Sequence, residues 1–75
     1  MTEKELYQEY QKLTTEEIYD KALQLAAKLN YQVGISSIER NCKNWGKETI
    51  RNDLCRFLAA GNKMSEYNLI MFLND

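Results

Sequence analysis

Residues 45–61 read WGKETIRNDLCRFLAAG, a stretch that joins a short polar turn to a helix with one apolar stripe. The stripe has the i, i+4, i+7, i+8 spacing that keeps side chains on one face of an α-helix, and its members are Ile50, Leu54, Phe57 and Leu58. Gly46 lies within the turn, and Gly61 is the residue type that most often ends a helix. The pattern therefore predicts a turn over 44–47 and a helix that begins near Lys47 or Glu48 and ends at Gly61.

Capping signals predict two helices ahead of this stretch. Thr2 and Thr14 are each followed three residues later by a glutamate, the spacing of a capping box in which a hydroxyl and a carboxylate satisfy free backbone amides. Apolar residues then recur at helical spacing. We expect a first helix to about residue 13 and a second, the longest, over about 14–30.

The sequence between these helices and the 45–61 stretch predicts a turn and a short third helix. Gly34 favours a turn over 32–35. Ser36, followed by Glu39, then resembles a third N-cap, and the helix that follows should end near residue 43 or 44. Its inward side would consist of Ile38 and Cys42.

Length and composition favour a single helical domain over residues 1–75. The chain has 44% apolar residues, no proline and three glycines, which leaves long stretches free of helix breakers. Ser65 is a possible cap before a nearly continuous apolar run at 69–73, which favours a short final helix, and no β-hairpin signal follows Gly61. The expected fold is all-α: a small bundle of four or five helices with a helix-turn-helix-like unit at about 36–61 and no clear wing.

Charge is distributed unevenly although the net charge is only −1. Residues 1–30 carry four lysines against six acids, residues 31–63 carry six lysines or arginines against three acids, and residues 64–75 carry two acids and no lysine or arginine. The excess of basic residues thus falls on the segment of the third and fourth predicted helices, where it is compatible with DNA or with an acidic protein surface.

Several functional classes are not expected. The chain contains no histidine and only two cysteines, which are not spaced as a Cys-x-x-Cys pair, so we expect no metal site and no cofactor. No phosphate-binding loop or nucleophile elbow is present, so we expect no enzymatic activity. No leader or membrane span is indicated, which favours a cytoplasmic protein whose cysteines are reduced and buried.

The 45–61 stretch resembles the recognition segment of winged-helix repressors of the DeoR type, which typically reads V-S-x-E-T-I-R-R-D-L-x-x-L-x-x-x-G. Trp45 occupies the apolar turn position, residues 48–51 (ETIR) match in order, and Asp53, Leu54, Phe57 and Gly61 follow at the family's spacing. The chain departs from the pattern at Gly46, where the family has a serine or threonine cap. The resemblance covers about 17 of 75 residues.

The resemblance implies a nucleic-acid-binding set on the fourth helix. Lys47 and Thr49 would meet phosphates or groove edges, Arg51 and Asn52 would reach bases, and Arg56 would hold backbone phosphate. These roles agree with side-chain chemistry, because arginine pairs bidentately with guanine and asparagine with adenine. The alternative is a core helix whose basic side is merely solvated and forms local salt bridges.

Aromatic residues suggest a second kind of contact. A lone tryptophan such as Trp45 is usually a core residue, with a stacking or hot-spot role as the alternative. Tyr7 and Tyr10 on the first helix fit either a partner surface or the domain's own core. A partner-binding set would join them to Leu69 and Phe72 of the apolar run.

The sequence therefore supports two hypotheses. The first is a small DNA-binding transcriptional regulator, of the kind found in phage or plasmid circuits, that reads double-stranded DNA as a homodimer because one recognition helix gives too small a contact. Residues 69–73 would supply the dimer surface. The second is a small protein-binding module or phage-type inhibitor that acts through its tyrosines and basic helix.

Overall fold

The structure, a computed structural model, describes residues 2–61, and these residues form four helices and no strand. The helices are α1 (Glu3–Gln11), α2 (Thr15–Lys28), α3 (Gln32–Trp45) and α4 (Arg51–Ala60). The predicted small all-α bundle is confirmed. The predicted final helix, the missing wing and the 69–73 dimer surface lie outside the described residues.

Threonine hydroxyls cap the first two helices, as predicted. The Oγ1 atoms of Thr2 and Thr14 accept hydrogen bonds from the backbone N–H groups of Glu5 and Glu17, each at 3.2 Å. Each hydroxyl also donates to the carboxylate of the same glutamate at 3.0 Å. Both helices are thereby fixed at their N-terminal ends, where backbone amides lack partners within the helix.

The end of α2 corrects the prediction for the next segment. Asn30 adopts a φ of 62°, and the N–H of Tyr31 donates to the carbonyl of Ala26 at 2.8 Å. This is a Schellman motif with asparagine in the left-handed position usually taken by glycine. Because the chain already turns at Asn30, the predicted turn over 32–35 is wrong, and those residues form the first turn of α3.

Helix α3 is therefore longer than expected. Ser36 lies inside it, so the predicted N-cap there is also wrong, and Gly34 is a buried helical residue. The predicted inward pair, Ile38 and Cys42, is buried as expected. Two polar residues, Ser37 and Asn41, are buried beside them.

The core is formed by side chains of α2, α3 and α4, together with Ile50 just before α4. Helix α4 packs against α1 and α2, and α2 also packs against α3. The predicted apolar stripe of α4 is buried throughout, together with neighbouring residues that the stripe did not include. The buried hydrophobic residues are Ile18, Ala22, Ala26, Ile38, Cys42, Ile50, Leu54, Cys55, Phe57, Leu58 and Ala59.

Candidate functional site

The segment between α3 and α4 turns at Gly46, within the predicted turn over 44–47, but the predicted start of that turn is wrong because Asn44 and Trp45 still belong to α3. Gly46 has a φ of 87°, in the left-handed region that favours glycine, and its N–H donates to the carbonyl of Cys42 at 2.9 Å. Residues 47–50 continue as a turn, in which the N–H of Arg51 donates to the carbonyl of Glu48 at 3.3 Å. Helix α4 thus begins at Arg51, so the predicted start near residue 47 or 48 is wrong.

Helix α4 presents only a narrow side to solvent. Cys55 and Ala59 are buried in addition to the predicted stripe, and the exposed residues of the helix are Asn52 and Arg56. Burial on this scale is expected for a helix packed against both α1 and α2. The surface that α4 can offer to a ligand is accordingly small.

The side chain of Arg51 is engaged by the two preceding helices. Its Nη2 donates to the backbone carbonyls of Gln11 at 2.5 Å and Leu13 at 2.6 Å, and its Nη1 donates to Oγ1 of Thr15 at 3.1 Å. Gln11 ends α1 and Thr15 begins α2. The guanidinium therefore satisfies carbonyls at the negative end of the α1 dipole and connects three helices.

Asn52 and Lys47 make similar contacts within the domain. The amide of Gln11 donates to Oδ1 of Asn52 at 3.0 Å. The Nζ of Lys47 lies 2.7 Å from Oε2 of Glu16 and 4.3 Å from the centroid of the Tyr19 ring. Three of the five predicted nucleic-acid-binding side chains thus contact α1 or α2.

The local environment raises the pKa of three groups at this contact, Tyr19, Cys42 and Lys47, and burial is the main cause for Tyr19. The hydrogen bond that Lys47 donates to the Glu16 carboxylate is the main cause that raises the pKa of Lys47. Burial raises the pKa of the neighbouring Cys42 thiol to about 11, against a smaller lowering effect of Lys47. Cys42 therefore stays protonated near neutral pH and acts as a small apolar core residue rather than as a nucleophile.

The other two predicted nucleic-acid-binding residues, Thr49 and Arg56, are exposed. Thr49 lies in the turn and Arg56 lies in the second turn of α4. No described hydrogen bond or ion pair joins either side chain to Lys47, Arg51 or Asn52 in a common site. The five predicted residues are therefore divided between inward contacts and exposed positions.

Trp45 occupies a different place from the one expected. The interpretation of this tryptophan as a core residue is wrong, because 67% of its surface is exposed. Trp45 is the last residue of α3, and the chain turns at Gly46 directly after it. Val33, at the other end of α3, is 50% exposed.

Tyr7 and Tyr10, which were predicted to bind a partner or to pack on the core, are half-buried and pack against the core. The other two predicted partner-binding residues, Leu69 and Phe72, lie outside the described residues. Gln11, Thr15, Glu16 and Tyr19 were not predicted as part of any site. No local pattern could reveal them, because their partners lie 28–41 positions away along the chain.

Comparisons with known proteins find no relative of this chain. No family model matches the chain, and searches of curated proteins and of solved structures also find no match. Within residues 2–61, no helix is long and apolar enough to cross a bilayer. The same residues contain no cluster of three or more acidic or cysteine side chains placed to hold a metal ion.

Proposed function

We propose that this domain is a compact protein-binding module and that Trp45 is the centre of its contact surface. The observation that carries the proposal is the exposure of the indole, 67% of which faces solvent. A tryptophan buries on the order of 200 Å² when covered, so covering its exposed part would stabilise a complex by about 3 kcal/mol at roughly 25 cal/mol per Å². Tryptophan is also the residue type most enriched among interface hot spots.

The residues beside Trp45 fit the rim of such a surface. Lys43, Asn44, Glu48 and Thr49 are all exposed. An apolar centre surrounded by polar and charged groups is the usual arrangement of a protein interface. The partner would supply an apolar pocket for the indole.

The second candidate is the DNA-binding regulator that the DeoR-type resemblance implies. It is favoured by the turn at Gly46 between α3 and α4 and by the exposure of Thr49 and Arg56. The contacts of Arg51 and Lys47 with α1 and α2 weigh against it. Those side chains would have to exchange contacts within the domain for contacts with phosphates or bases.

One pair of assays separates the two candidates. Purified wild-type protein, Trp45→Ala and Arg56→Ala are immobilised as baits in extracts of the source cells, and each protein retained by the wild type is then purified and titrated against all three. In parallel, the three proteins are titrated with mixed-sequence duplex DNA at several salt concentrations. Arg56→Ala is the matched control for Trp45→Ala, because the side chains of Trp45 and Arg56 are both exposed.

The protein-binding module predicts a purified partner whose affinity falls by about 30-fold with Trp45→Ala, the size of a typical hot-spot loss, and is unchanged by Arg56→Ala. Equal partner binding by wild type and Trp45→Ala would refute it. DNA affinity that decreases with salt and weakens with Arg56→Ala would instead support the regulator.

A further inference from the structure

A shallow groove lies on the other side of α2 from the contact with Lys47. Its floor is formed by apolar side chains of three helices, namely Tyr10, Leu25 and Leu58, and Gly61 lies at its edge. Tyr10 and Leu25 are only partly buried, so their apolar surface remains open to a ligand. The groove is therefore apolar at its base and accessible from solvent.

Two lysines of α2 line this groove. Lys21 and Lys28 are exposed, and neither makes an ion pair with any residue in the described part of the chain. This differs from Lys47, which is paired with Glu16. The seven positions between Lys21 and Lys28 correspond to two helical turns, or roughly 10 Å.

We infer that this groove binds an acidic amphipathic helix of a partner protein. An apolar side chain of the partner would rest on Leu25 and Leu58, and two carboxylates seven positions apart would face Lys21 and Lys28. The charges at the rim determine which sequence binds, and the apolar floor supplies the buried area. The surface is distinct from the one centred on Trp45, and its test does not depend on that residue.

The probe is a fluorescein-labelled synthetic peptide that forms a helix, with two glutamates seven positions apart and leucines between them. Its binding to the full chain is followed by fluorescence anisotropy at low and moderate salt. The test variant is Lys21→Glu/Lys28→Glu, and the matched control is Lys4→Glu/Lys12→Glu, which changes the net charge equally at exposed positions outside the groove. Circular dichroism shows whether each variant is folded.

We expect the peptide to bind the wild type, to lose about tenfold in affinity for Lys21→Glu/Lys28→Glu, and to lose less than twofold for the control. A second peptide with lysines in place of the glutamates should bind Lys21→Glu/Lys28→Glu better than it binds the wild type. Trp45→Ala should bind the acidic peptide as the wild type does, which separates this test from that of the proposed function.

Three outcomes would overturn the inference. They are failure of the acidic peptide to bind the wild type at low salt, equal loss of affinity in the test and control variants, and failure of the lysine peptide to prefer Lys21→Glu/Lys28→Glu. A fourth such outcome concerns the oligomeric state, which light scattering measures. If the wild type is a dimer that Lys21→Glu/Lys28→Glu dissociates, the groove is a contact between two copies of this chain, and the partner helix is excluded.

Discussion

Only five residues separate the end of α3 from the beginning of α4, yet the two ends place polar and apolar side chains in opposite ways. At the start of α4, Arg51 and Asn52 contact the end of α1, and Lys47 in the preceding turn contacts α2. At the end of α3, Trp45 is largely exposed. The polar side chains thus contact neighbouring helices, and the largest apolar side chain of the region faces solvent.

A row of cations on a helix is therefore weak evidence for a binding surface. The last carbonyls of any helix lack partners within the helix and carry partial negative charge. In this domain a cation from α4 satisfies those of α1. A side chain that has such a structural partner cannot serve a ligand without loss of stability.

The largest effect is expected from Arg51→Ala. The substitution leaves the carbonyls of Gln11 and Leu13 without their charged donor, so the free energy of unfolding should fall by about 1.5–3 kcal/mol, the range for hydrogen bonds to charged groups. Urea unfolding measures the loss. Arg56→Ala, at an exposed position on the same helix, should change stability by less than about 0.5 kcal/mol.

Arg51→Lys sharpens the result. Lysine keeps the positive charge but lacks the planar fork that reaches two carbonyls and a hydroxyl together, so it should recover only part of the stability. If Arg51→Ala and Arg56→Ala destabilised the domain equally, the contacts of Arg51 with α1 and α2 would not stabilise it.

A smaller effect is expected from pH. Burial raises the pKa of Cys42 from its ordinary value of 9.0 to about 11, so between these values the unfolded chain releases a proton that the folded chain retains. The stability that depends on the neutral thiol is complete below pH 9 and is lost as the pH rises towards 11. The slope for this one group is at most ~1.4 kcal/mol per pH unit.

Urea unfolding at pH values below 9 and between 9 and 11 tests this, with Cys42→Ala as the comparison. Other groups also titrate in this range, so the informative quantity is the difference in slope between the two proteins. The wild type should lose stability more steeply than Cys42→Ala. Parallel slopes would contradict a raised thiol pKa.

The elements that depend on local sequence signals could be predicted from the sequence. The hydroxyl caps at Thr2 and Thr14, the stripe of α4 and the glycine at the end of that helix were all predicted correctly. The start of α3 was missed because Asn30, a residue that tolerates the left-handed conformation, ended α2 before Gly34 could act as a turn. A glycine in sequence signals either a turn or close packing, and only the packing decides between them.

The contacts of the candidate site could not be predicted from the sequence. The pattern of 45–61 placed the cations correctly outside the apolar stripe, but whether they meet solvent depends on residues far away along the chain. Arg51 is 36–40 positions from its partners, and Lys47 is 31 positions from Glu16. Periodicity determines the face of a helix on which a residue lies, and tertiary packing determines what that face contacts.

The ion pair of Lys47 with Glu16 should contribute less than Arg51. A double-mutant cycle with Lys47→Ala and Glu16→Ala should give a small coupling energy that favours the pair, because both side chains are partly or largely exposed. The coupling should decrease as salt is added. A coupling energy of zero at low salt would mean that Lys47 is available to a ligand, which would favour the DNA-binding candidate.

The smallest effect on stability is expected from Trp45→Ala. Truncation of a tryptophan that fills a core lowers the free energy of unfolding by about 3–5 kcal/mol. Truncation of an exposed tryptophan should change it by less than ~0.5 kcal/mol. Leu54→Ala, at a position that is fully buried, is the matched control, and its free energy of unfolding should fall by about 2–5 kcal/mol.

Iodide quenching is a second measure of the exposure of Trp45. Iodide should quench the single tryptophan of the folded protein nearly as well as that of the unfolded chain. A loss of more than about 2 kcal/mol in stability would mean that the indole belongs to the core, and the partner binding proposed for Trp45 could then not be tested by Trp45→Ala.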